Sequence, residues 1–109
     1  MNVQHIDIWS GENRTETLTA RDANNAVVDL TGGTLAWKAG THDGEYAMLS
    51  KTGSIVSAAA GTFSVALTPS DTQDMDGDYR HQTMFTTSGG SVSVVNVGRF
   101  RVRGDLRVA

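Results

Sequence analysis

The sequence predicts an all-β sandwich of about seven to eight strands, because short alternating segments recur at roughly ten-residue spacing with turn residues between them. Composition points the same way: twelve glycines, a single proline and frequent Thr, Ser and Val favour short strands over long helices. The 109 residues suit one domain, expected to span 1–109 with extended termini at 1–8 and 104–109. Hydrophobic residues make up 39%, so the expected core is thin. The net charge of −3 disfavours a general nucleic-acid binder. No cysteine is present, which excludes disulfides, thiolate metal sites and thiol nucleophiles and suits a reducing cytoplasm. Met1 to Trp9 lacks the basic and apolar regions of a secretory signal, and no apolar run reaches the length of a membrane span.

The elements follow from period-two patterning. Val3 to Trp9 places Ile6 and Ile8 on one face. A Ser10–Asn13 turn leads to Thr15–Arg21, where Leu18 and Ala20 oppose the threonines. Asp22 to Asn25 can supply the positive φ of a tight turn. Val27–Leu30 is short and apolar, and Thr31-Gly32-Gly33 ends it. Thr34–Ala39 aligns Leu35, Trp37 and Ala39, the best candidate for a core strand. Gly40–Ala47 reads as loop, Ser54–Ser57 as a short strand, and Thr62–Leu67 as a strand with Phe63, Val65 and Leu67 inward. Thr68 and Pro69 open a helical turn expected over 69–75, with Asp71 favoured by its exposed amides. Tyr79–Thr86 and Ser91–Val102 close the set around a Ser88-Gly89-Gly90 hairpin turn, with a parity shift expected through a bulge at Gly98.

Two local features narrow the sandwich to an immunoglobulin-like type. Gly77 stands two residues before Tyr79 and Met75 four before it, as in a tyrosine corner, and Trp37 occupies an early-middle strand. The ordered set goes further. Gly11-Glu12, Asp29-Leu30-Thr31-Gly32 ahead of an apolar strand, Gly61 to Thr68, Gly77-Asp78-Tyr79 and Gly98 to Val102 follow one another. In this order the chain resembles the immunoglobulin-like virion domain of tailed bacteriophages, similar to the N-terminal domain of the baseplate upper protein family. The resemblance covers nearly the whole chain. It implies a structural, non-enzymatic virion protein, made in the host cytoplasm and present in multiple copies. It would serve as a tail, baseplate or fibre-adaptor component, or alternatively as a capsid decoration protein. Its partners would be other virion proteins, with no nucleic acid, membrane or cofactor. In that family the domain leads into further modules, whereas this sequence ends at Ala109, so a stand-alone adaptor or decoration role is expected.

No catalytic constellation emerges from the residues. Asp71, Asp74, Asp76 and Asp78 crowd one turn but miss the calcium-loop spacing, so capping and a solvated turn account for them. His5, His42 and His81 are too dispersed for a metal pair, and His81, in register with Tyr79, is expected to be a hydrogen-bonded core residue. Glu12, Glu16 and Glu45 form no acid–base couple, Gly32-Gly33 and Gly89-Gly90 lack the lysine of a phosphate loop, and no nucleophile elbow appears. Arg99, Arg101 and Arg103 share one strand face about 6.6 Å apart. Such a row either blunts an edge strand or meets an acidic patch on a neighbouring subunit. Leu106 and Val108 in the tail are further interface candidates, and deleting Asp105–Ala109 is expected to spare folding while blocking incorporation into particles. A carbohydrate-binding module is the rival of another class, with Trp9 and Tyr46 as its aromatics.

Overall fold

A computed structural model describes residues 2–40, 47–72 and 77–103. Nine strands form within them: β1 (Asn2–Val3), β2 (Ile6–Trp9), β3 (Arg14–Thr19), β4 (Thr34–Gly40), β5 (Ala47–Thr52), β6 (Ser54–Ser57), β7 (Thr62–Leu67), β8 (Gly77–Thr86) and β9 (Val92–Arg103). One helical turn, α1, spans Pro69–Thr72. A six-stranded sheet runs β1-β9-β8-β4-β5, with β2 also on β9, and faces a three-stranded sheet ordered β3-β7-β6. The strands β3, β7 and β6 take the places of B, E and D in an immunoglobulin-type sandwich, and β4, β8 and β9 those of C, F and G. The first two strands run parallel to the last, while the other pairings are antiparallel.

The alternation read from the sequence is what builds the core. Ile6, Ile8, Leu18, Leu35, Trp37, Phe63, Val65 and Leu67 all point between the sheets, joined by Phe85, Val95, Phe100 and Val102. Trp37 is the largest of these and is fully enclosed, with its ring edge-on to Phe100 at 5.4 Å between centroids. Such pairs add roughly 0.5–1.5 kcal/mol beyond the area they bury.

Three expectations change. A full strand, β5, starts at Ala47, where the sequence reads as the end of a loop; residues 41–46 lie outside the described set. Its polar Ser50, Lys51 and Thr52 hid it, because a strand pairing only with β4 need not alternate strongly. Val27–Leu30 is not a strand. Asp22 Oδ1 accepts from the amides of Asn24 and Ala26, and Asn25 takes φ 64°, so a tight turn precedes the segment, whose ladder pairing is limited to one bridge between Arg21 and Val27. Leu30 nevertheless reaches the core, where its amide donates to Ala58. The parity shift falls not at Gly98 but at Val95: Thr83 pairs with Asn96, yet Met84 pairs with Val94, so Val95 is the extra residue of a bulge.

The predicted helical turn forms at Pro69–Thr72, and residues 73–76 of the expected range lie outside the described set. It is held by a reciprocal cap. The Asp71 amide donates to the Thr68 carbonyl, and the Asp71 carboxylate accepts from the Thr68 amide at 2.7 Å. Burial works to raise the Asp71 carboxyl, but the bonds from Lys51 and Thr68 outweigh it and hold it below the ordinary carboxylate range. Lys51 reaches it from β5 at 2.8 Å. On the other side the buried Thr72 accepts from the Ser10 hydroxyl and the Gly11 amide, which fixes the β2–β3 turn. Asp71→Ala is expected to lower stability by about 1 kcal/mol at neutral pH. Because the folded pKa is depressed, that difference is present above the unfolded value and fades as pH falls through the folded one. Urea unfolding of both proteins between pH 7 and pH 2.5 checks this.

Candidate functional site

The sandwich sorts the candidate residues into an inner and an outer set. Inside, β4 brings Trp37 opposite β8, and its indole N–H donates to His81 Nδ1 at 3.2 Å with the two rings stacked at 6.0 Å. His81 is 2% exposed. Since Nδ1 accepts, the ring proton sits on Nε2, which donates to the Gln4 carbonyl. Burial pushes the His81 imidazole below its ordinary pKa, and the Gln4 bond opposes this. The ring is thus locked as one neutral tautomer.

Gln4 is the hub of this inner set, and it stands in the break between β1 and β2. Its side-chain Oε1 accepts from the Thr19 amide and from the amide groups of Asn2 and Asn96, each at 2.8 Å. Asn96, fully buried at the bulge, also donates to the Thr19 carbonyl at 2.9 Å. Gly98 leaves the space that the Gln4 carbonyl fills; a Cβ there would overlap it. This cluster ties the first strand to both sheets. Trp37 and His81 were legible as inward residues from strand parity. Gln4 was not, because its partners come from separate strands.

Tyr79 lies where the corner motif puts it, at the start of β8, half-buried against the core. Gly77 opens that strand at φ 127°, a conformation side chains rarely adopt. Met75, the third member of the motif, lies outside the described residues, as do Leu106, Val108, Tyr46, His42, Glu45, Asp74 and Asp76.

Outside, the arginine row is on one face of the six-stranded sheet as its spacing predicts: Arg99, Arg101 and Arg103 alternate with the buried Phe100 and Val102. The edge-blunting explanation does not apply to it, because β9 lies between β8 and the β1–β2 pair. The three side chains differ in company. Arg101 pairs with Asp78 at 2.7 Å, which raises its pKa. Arg103 lies over the Trp9 ring at 5.9 Å. Arg99 has no carboxylate partner among the described residues and stands in register opposite Arg80, which has none either. Arg80 was not legible as a site residue, since only the bulge brings it across from Arg99.

Around these two arginines is a shallow hollow of about 310 Å³ lined by His5, Tyr79, Arg80, Val97, Gly98 and Arg99. His5 Nδ1 accepts the Arg99 amide at 2.9 Å, so the imidazole forms one wall. Beyond it the same face is apolar and open, with Val3 59% and Val92 55% exposed. Five of the eight described Lys and Arg residues, Lys38, Arg80, Arg99, Arg101 and Arg103, stand on this face with two of the seven described acids, Asp7 and Asp78. The other titratable candidates are committed elsewhere: Glu16 to Arg14 at 2.7 Å, and Glu12 to the Trp9 amide at 3.1 Å. Trp9, half exposed, shares its ring with Arg103 rather than offering an unoccupied platform for a sugar. What the arrangement can do chemically is bind an anionic, partly apolar surface. No protein-family model matches the chain, and no curated protein matches it significantly.

Proposed function

We propose that this chain is a non-enzymatic structural protein that joins a larger assembly through the outer face of its six-stranded sheet. The observation that carries the reading is the concentration of cations on that face of an acidic chain, next to exposed valines and Trp9. Arg, Trp and Met are enriched at protein interfaces, and apolar area beside guanidinium groups fits their usual anatomy. The ordered motifs support a narrower setting, a tailed-phage virion. There the chain serves as a tail, baseplate or fibre-adaptor component, with capsid decoration as the alternative placement.

Imaging particles made with and without the protein tests this. The expected result is loss of discrete, symmetry-repeated density at the tail or baseplate. Loss at the capsid selects the decoration role, and particles unchanged in density and composition overturn the reading.

A further inference from the structure

We propose that the hollow between Arg80 and Arg99 is a carboxylate-binding notch that receives an Asp or Glu side chain of the partner protein. This rests on the interface reading above and names the chemistry of its centre. Like charges directly opposite in an antiparallel pair destabilise the ladder. Here the register sets Arg80 and Arg99 directly opposite each other, both line the hollow, and no described carboxylate pairs with either. Of their neighbours, Arg101 is paired with Asp78 and Arg103 lies over the Trp9 ring, so Arg80 and Arg99 are the like charges that this ladder sets directly opposite. An anion seated between the pair turns the repulsion into two charge-assisted bonds, and the planar guanidinium matches a carboxylate in bidentate fashion.

The surroundings select a single carboxylate over a polyanion. Asp7 and Asp78 stand on the same face and would repel a phosphate backbone running along β9. The lining is small and partly apolar, with Tyr79, Val97 and Gly98 completing it beside His5 and the two arginines. An acidic side chain on an apolar partner surface fits this mixture. A bare phosphodiester does not.

Titrating the ¹⁵N-labelled protein with an apolar peptide that carries a single glutamate, followed by amide shifts, tests the proposal. Inorganic phosphate and oligothymidylate serve as comparison probes. The expected result is a salt-sensitive perturbation centred on Tyr79, Arg80, Val97, Gly98 and Arg99. Arg80→Gln and Arg99→Gln are each expected to weaken peptide binding at least tenfold. Arg103→Gln is expected to weaken it less than threefold. Both notch variants should also keep or raise the unfolding midpoint, because each removes the like-charge pair, so lost binding is not lost folding. No perturbation at millimolar peptide, equal binding of oligothymidylate, or full binding by both notch variants overturns the notch. Such a failure leaves the particle experiment standing, since a face can dock without this centre, whereas particles unchanged without the protein remove the wider reading.

Discussion

Replacing Gly98 by alanine is expected to cost about 3–5 kcal/mol, the sum of overpacking and of burying an unpaired carbonyl. The added methyl would overlap the Gln4 carbonyl and come within 2.8 Å of His81 Nε2. Neither neighbour can step aside. His81 is held by Trp37 on its other nitrogen, and Gln4 is held through its side chain by Asn2, Thr19 and Asn96. The chain's response is therefore to release the Gln4 segment, loosening β1 and β2 from β9. Guanidinium unfolding measures the total. Hydrogen exchange should show lost protection at Gln4, whose amide donates to the Val97 carbonyl at 2.9 Å, before β4 or β7 responds. A change under 1 kcal/mol would mean that the Gln4 carbonyl does not occupy the glycine's space.

His81→Leu is the second large effect, at about 2–4 kcal/mol, since the Trp37 indole N–H and the Gln4 carbonyl both lose their partner inside the sandwich. Leucine fills much of the same volume, so the loss reports the hydrogen bonds more than a cavity. The wild-type protein carries a pH signature at this residue. Burial depresses the folded pKa of His81, so the unfolded chain binds the extra proton first. The contribution is complete above the unfolded value of about 6.5 and is lost progressively as pH falls toward the folded pKa. Stability measured from pH 8 to pH 5 should decline on the acidic side in the wild type, with a shallower decline in His81→Leu. Equal slopes in the two proteins would assign the acid sensitivity elsewhere.

Much of this architecture was legible because period-two patterning is a local property. The inward positions of Ile6, Leu18, Trp37, Phe63 and His81 follow from parity alone, and the Thr68–Asp71 cap from residue types at fixed offsets. The missed features depend on pairing between distant segments. Val94-Val95-Asn96-Val97 is apolar at both parities around one Asn, so nothing in it marks which residue is extra. That one-residue slip decides whether Arg99 faces Arg80, and with it the composition of the candidate site. Gly98 attracted notice as a strand glycine, but its purpose lies in a carbonyl supplied from more than ninety residues earlier. Asn2, Gln4 and Asn96 read as ordinary polar residues until three strands meet.

The inner and outer sets are linked through the same two strands. Gly98 admits Gln4 on the core side, and on the solvent side it floors the hollow between His5, Arg80 and Arg99. The bulge at Val95 sets the register for both. The same register that seats Gln4 against Gly98 thus places Arg80 opposite Arg99.

The most direct measurement is arginine-directed covalent footprinting of the isolated chain and of the native assembly, read by mass spectrometry at Arg80, Arg99 and Arg103, with Arg21 as a remote control. The account predicts strong protection of Arg80 and Arg99 on assembly, weaker protection of Arg103, and unchanged labelling of Arg21. Equal labelling of Arg80 and Arg99 in both states would show that the outer face of the six-stranded sheet is not the docking surface.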